Sequence, residues 1–183
     1  MNKFERLRAF REAGRVQRCH TVPHRGEYSV AEHSWQVALL LLVLHPNPSP
    51  ALLREALLHD VAERWTGDVP APAKWASPDL AKALRTLEGQ IGGTSYGLAL
   101  ANLVASLSEE ERWWLHGCDL LELHLWCLDQ RDGEGNKNVQ QVLLNIEVWF
   151  SQHAEQVPRA VLLFYRDYKW ERGSDNIWAL LDE

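Results

Sequence analysis

Two histidines and two aspartates, His33, the adjacent pair His59-Asp60, and Asp119, stand in stretches patterned as helices and rich in apolar neighbours. Imidazole nitrogens and carboxylate oxygens in that ratio suit a divalent transition ion, Mn, Co, Fe or Zn, with water completing the coordination. Such an ion activates water and polarises a phosphoryl oxygen, so the reaction class indicated is hydrolysis of a phosphate ester. Glu63 follows His59 by four positions. At about 3.6 residues per helical turn, His59, Asp60 and Glu63 would lie on or beside one face, two ligands with a proton carrier next to them. A lone histidine on an apolar helix is more often a packed core residue, and a His-Asp dipeptide by itself says little. The metal reading rests on the conjunction: a first-turn His, a helical His-Asp pair, a Glu one turn on, Asp68 in a proline-bearing loop, and Asp119 between apolar residues of a core-like helix, where an unpaired carboxylate is costly.

The elements that must position these groups are readable in part. Ser29-Val30-Ala31-Glu32 predicts a capping box, with His33 in the first turn behind it. The run Val37-Ala38-Leu39-Leu40-Leu41-Leu42-Val43-Leu44 is too apolar all round for a surface helix and too short to span a bilayer, so a central, buried helix is expected. Pro46 and Pro48 break it, Ser49-Pro50 restarts a helix that carries His59-Asp60, and Gly67 ends that helix. Thr66 to Lys74 contains Pro70 and Pro72 and is predicted as a rigid, non-helical loop. Ser108-Glu109-Glu110-Glu111 is a second capping box and opens the longest helical pattern, with Asp119 in its middle and Gly117 nearby to allow close packing.

Around this centre, Phe4, Leu7 and Phe10 predict a first helix capped by Asn2 and ending at Gly14. Residues 15–27 form a loop rich in cations and hydroxyls, suited to closing over an anion. Ser77-Pro78-Asp79 starts a further helix, a short one is expected within 94–105, and helices over 139–150 and 158–170 precede a tail bearing Trp178. No segment alternates as a strand does. The expected fold is all-α, a helical bundle in a single domain over residues 1–183.

The net charge is −6 with Lys and Arg dispersed, which excludes the basic stripe needed for a nucleic-acid polymer. The three cysteines lack CxxC spacing and Met1-Asn2-Lys3-Phe4 does not open a signal peptide, so a reduced, cytoplasmic protein with no membrane association is expected. Cys118 and Cys127 fall in an apolar pattern and read as packed thiols.

The conjunction resembles the HD-domain phosphohydrolase superfamily, whose ligand pattern is H…HD…D on an all-α core. Ser29-Val30-Ala31-Glu32-His33-Ser34, His59-Asp60-Val61-Ala62-Glu63 and Thr66-Gly67-Asp68-Val69-Pro70 with Lys74 are similar to the 5′-deoxynucleotidase branch and its relatives, including phage dATP triphosphohydrolases; the similarity runs over about residues 18–119. The resemblance implies that His33, His59, Asp60 and Asp119 hold the metal, that Glu63 and Asp68 serve catalysis, and that Arg18 and Lys74 contact phosphates. Arg18 offers a planar fork for phosphate oxygens, whereas Lys74 is a point charge on a flexible stem. Cys19 stands where the nucleotidase pattern has a Trp that helps select deoxyribose; His20 and Thr21 are candidates for the base and sugar pocket, and Trp65 or Trp75 for a stacking face. A homo-oligomer is also implied.

The expected activity is metal-dependent hydrolysis of the 5′-phosphoester of a small-molecule purine 2′-deoxynucleotide. Lys74 beyond Arg18, with the cationic loop, directs the expectation to triphosphates, cleaved to nucleoside and triphosphate. Two alternatives stay open, a 5′-deoxynucleotidase acting on monophosphates and a nucleotide-binding regulator without turnover.

Overall fold

A computed structural model describes residues 2–91, 107–130 and 137–171. They form helices α1 (Lys3–Ala13), α2 (Val30–Leu44), α3 (Pro50–Leu58), α4 (Glu63–Thr66), α5 (Ala71–Ala76), α6 (Pro78–Gln90), α7 (Glu109–Asp129), α8 (Lys137–Gln152) and α9 (Arg159–Glu171), with no strand among the described residues. The short helix expected within 94–105 and the Trp178 tail lie outside the described residues.

Helix starts follow the side-chain chemistry. Asn2 and Ser108 each form a reciprocal capping box, with Glu5 and Glu111, and Ser49 and Ser77 accept from the backbone of Leu52 and Leu80. Ser29 supplies one half of its predicted box, accepting the Glu32 N–H at 3.2 Å. At the other end of the site, Gly67 closes α4 at φ 70°, in the left-handed region where a Cβ is unfavourable.

The centre is the packing of α2 on α3 and α7, with α8 and α9 laid against α7 and α1 against α4. Val37 and Leu41 from α2, Leu52 and Ala56 from α3, and Cys118 and Leu121 from α7 meet in this core. Cys118 and Cys127 are buried free thiols, as their setting predicts.

Four expectations need correction. The helix carrying His59 stops at Leu58, and the chain then turns through i→i+3 bonds, Val61 to Leu58 and Glu63 to Asp60, before α4 begins at Glu63. His59, Asp60 and Glu63 therefore converge across a tight turn rather than along one helix face. The Pro70-Pro72 segment is not a plain loop: Pro70 caps α5 and Pro72 sits in its first turn, where a missing N–H costs nothing. Only one side of α2, the side that packs on α3 and α7, is buried; Trp35, Leu42 and Val43 are 57%, 55% and 66% exposed. Gly117 serves the contact with α9 rather than the site, since a Cβ there would come within 3.3 Å of both Val157 and Val161.

Candidate metal and phosphate site

The N-terminal half of α2, the turn after α3 and the middle of α7 deliver His33, His59-Asp60 and Asp119 to one place. One ligand atom from each of His33, His59 and Asp60 can be chosen so that all lie within 4.8 Å of one another. Asp119 Oδ1 adjoins this group, 3.0 Å from His33 Nε2 and 3.9 Å from His59 Nε2. Asp60 Oδ2 stands 3.7 Å from His33 Nε2 and 3.4 Å from His59 Nε2. The two Nε2 atoms are sealed from solvent, and neither has a hydrogen bond of proper geometry among the described residues.

The opposite nitrogen of each ring is engaged. His59 Nδ1 lies 2.9 Å from the Ala56 carbonyl, and His33 Nδ1 meets the Glu122 carboxylate. A carbonyl or carboxylate accepts only, so Nδ1 carries the proton and the lone pair of the neutral imidazole falls on Nε2. The donor set, with two inward lone pairs and two carboxylates, fits a divalent transition ion.

The electrostatics agree. At His33, burial and the Arg18 charge oppose protonation, but contact with Asp119 and Glu122 outweighs them and raises the pKa to about 9. At Asp119, burial resists ionisation, yet His33 and His59 hold the carboxyl well below the usual range. The cluster is a well for positive charge.

Glu63 lies beside it, 6% exposed, with Oε2 lacking a hydrogen-bond partner among the described residues. Burial, and then the charge of Asp60, push its pKa up to about 9. Arg18 is also nearly enclosed; its guanidinium pairs with Asp60 and lies 4.0 Å from Glu63 Oε1. Burial opposes its charge, but Asp60 and the neighbouring acids keep it firmly protonated.

Asp68 accepts the Cys19 N–H at 2.8 Å and lies 3.9 Å from His20 Nδ1. It fastens the loop that carries Arg18 at a residue, Cys19, whose φ of 50° is unusual for a side chain with a Cβ. Burial pushes the Cys19 thiol up to about 12, so it is no thiolate nucleophile. Lys74, on α5, is half-buried, and its charge acts on both Glu63 and Cys19. His20 and Thr21 are exposed on the same loop, while Trp65 instead packs under the Arg64 guanidinium, 4.6 Å from its ring.

Sequence reasoning missed Tyr28 and Glu122, both 0% exposed and hydrogen-bonded to each other beside His33. A second carboxylate three residues after Asp119 in the same apolar stretch is the available signal for Glu122. Tyr28 lies between the predicted loop and the Ser29 cap and carries none.

A family model described as 5′-deoxynucleotidase YfbR-like matches residues 7–112, a span that stops short of Asp119. The chain is 31% identical over 147 residues to the dATP triphosphohydrolase of cyanophage S-2L, covering 77% of this chain and 78% of the phage protein. It is 30% identical over 105 residues to a 5′-deoxynucleotidase of Pasteurella multocida, covering 52% and 49% of the two chains. The solved structure of the cyanophage S-2L HD phosphohydrolase DatZ, bound to dA and one catalytic Zn2+ ion, is similar with a TM-score of 0.67 at 26% identity, over 94% of this chain and 96% of that one. A protein of Pyrococcus horikoshii shares the fold, with a TM-score of 0.67 at 18% identity over 90% and 96% of the two chains.

Proposed function

The chain belongs to the YfbR-like 5′-deoxynucleotidase family of HD phosphohydrolases, and from that membership we propose that it hydrolyses the 5′-phosphoester of purine 2′-deoxynucleotides, with deoxynucleoside triphosphates such as dATP as substrate and nucleoside plus triphosphate as products. One observation carries the reading: two histidine Nε2 atoms and two aspartates converge beside a buried Glu63 and a nearly enclosed Arg18. The likeness to a dATP triphosphohydrolase supports the choice of substrate.

His33, His59, Asp60 and Asp119 would hold the ion. When bound, a divalent ion activates water and neutralises charge on the phosphoryl group; Zn, Co, Mn and Fe all suit the donors. Glu63, buried beside Asp60 and Arg18, can pass a proton to the departing 5′-oxygen. Arg18 supplies a fork for α-phosphate oxygens, exchanging its Asp60 contact for them, and Lys74 reaches the distal phosphates from α5. Asp68 keeps the Arg18-Cys19 loop in place through the Cys19 N–H, and His20 and Thr21 on that loop border the sugar and base. With Cys19 in place of an aromatic residue, sugar selection falls to these neighbours. A homo-oligomer, a single domain and a cytoplasmic setting belong to the same proposal.

The likeness to a 5′-deoxynucleotidase supports a second reading, release of one phosphate from deoxynucleoside monophosphates. A phosphate- and nucleoside-release assay over a panel of deoxy- and ribonucleotides, with and without added Zn2+, Mn2+ or Co2+, tests the proposal. Metal-dependent turnover is expected; binding of nucleotides with no turnover under any metal would leave only a regulator.

A further inference from the structure

We infer that Glu122 is a positioning residue: it fixes the orientation and tautomer of His33 so that Nε2 faces the cation position, and through Tyr28 it couples that ring to Arg18. The inference rests on the metal reading above. Helix α7 grips both nitrogens of the His33 ring, Asp119 Oδ1 lying 3.0 Å from Nε2 while Glu122 Oε2 bonds Nδ1. Residues three apart on a helix project from one face, so a single helix sets both contacts.

Glu122 and His33 are each 0% exposed, so bulk water does not compete for Nδ1. The Glu122 Oε2 atom that accepts from the Tyr28 hydroxyl is an acceptor towards Nδ1 as well, so the ring donates Nδ1–H to it. Tyr28 completes this corner, its hydroxyl lying 3.2 Å from His33 Nδ1. The Tyr28 hydroxyl donates to the same Oε2, its ring stacked on Trp126 at 4.6 Å with an interplanar angle of 16°. The Arg18 guanidinium sits 5.6 Å from the Tyr28 ring centroid. Trp126, Tyr28 and Glu122 thus form a rigid backing that meets the ion pocket at His33 and the phosphate pocket at Arg18. An apolar side chain of equal length at this position would leave His33 Nδ1–H without its carboxylate acceptor, whereas an amide would keep an accepting oxygen there.

That contrast defines the test. Zn2+ and Mn2+ affinities are measured by competition with a chromophoric chelator for the unmodified protein, Glu122→Gln and Glu122→Met. Both substitutions keep side-chain length, but only Gln retains an oxygen that accepts from Nδ1. Glu122→Met should lose about 10- to 100-fold in ion affinity, the usual cost of removing a partner behind a metal-bound histidine, while Glu122→Gln stays close to the unmodified protein. Equal affinity for the Met and Gln variants overturns the inference. Should the Met variant fail to fold, as judged by circular dichroism, Tyr28→Phe decides the matter. Weaker ion binding by that variant supports the inference, and unchanged affinity overturns it. Long-range 15N NMR of the Zn2+-loaded protein should find His33 protonated at Nδ1, and a proton at Nε2 overturns it too. Failure of the unmodified protein to bind either ion would overturn the metal reading along with this inference, whereas tight binding that ignores residues 28 and 122 would overturn this inference alone.

Discussion

Glu63 has the burial of a core residue and the chemistry of an acid; Oε1 lies 4.0 Å from Arg18, while Oε2 has no hydrogen-bond partner among the described residues and is free to face a substrate. Glu63→Ala should therefore keep ion and nucleotide binding while kcat falls by about 10²- to 10⁴-fold, the usual worth of a positioned general acid or base. Steady-state kinetics beside a direct binding assay check this, and a near-normal kcat would move the proton transfer to Asp68. Glu55 makes a separate test of buried charge. It is 4% exposed on α3, and burial raises its pKa while the His59 charge opposes the rise. Between the ordinary and the raised pKa the folded state binds more protons than the unfolded chain, so stability is full below the ordinary value and is lost as pH rises through the raised one. Glu55→Gln should raise Tm near pH 7 and leave it unchanged at about pH 3.5, below the ordinary glutamate pKa of about 4.3. Thermal melts at the two pH values measure the difference; a lower Tm for the variant near pH 7 would mean that the carboxylate has a stabilising partner.

The elements were legible wherever local chemistry decides them. Asn2, Ser49, Ser77 and Ser108 mark helix starts that the structure reproduces, and the convergence of His33, His59, Asp60 and Asp119 could be expected from their conjunction with Glu63 and Asp68 and from the family resemblance. What escaped depends on through-space contact. The turn between His59 and Glu63 is formed by i→i+3 bonds that no side chain announces. Pro72 reads as a breaker in sequence yet sits in the one part of a helix that tolerates it. Glu122 declared only its burial, and its partner Tyr28 comes from a loop on the far side of the sequence. Gly117 is a further case, because it is fixed by α9. Gly117→Val should overpack α7 against Val161 of α9 and Val157 just before it and cost about 1–3 kcal/mol, with little effect on ion affinity. Urea unfolding beside chelator competition separates the two; a large loss of ion affinity at unchanged stability would place Gly117 in the site after all.

At the scale of the whole molecule, no described helix is long and apolar enough to cross a membrane, yet α2 leaves Trp35, Leu39, Leu42 and Val43 exposed along one side. An apolar stripe of this kind on a water-exposed face suits a second copy of the chain. Sedimentation equilibrium should give a mass that is a multiple of 21.0 kDa, and Leu42→Glu should reduce it towards one chain. A single-chain mass for the unmodified protein would end that reading. The same scale holds the central claim, the proposal that Arg18 and Lys74, carried by different elements, would contact the α-phosphate and the distal phosphates. Chromatography of the products formed from dATP with Mn2+ or Zn2+ tests it most directly. The account predicts deoxyadenosine and intact triphosphate in equal amounts, without dAMP at any time, and a Lys74→Ala variant that loses about 10- to 100-fold in kcat/KM for dATP, equivalent to about 1.5–3 kcal/mol for a hydrogen bond to a charged group, but far less for dAMP. Cleavage of dAMP alone, or stepwise loss of phosphate from dATP through dAMP, would contradict it.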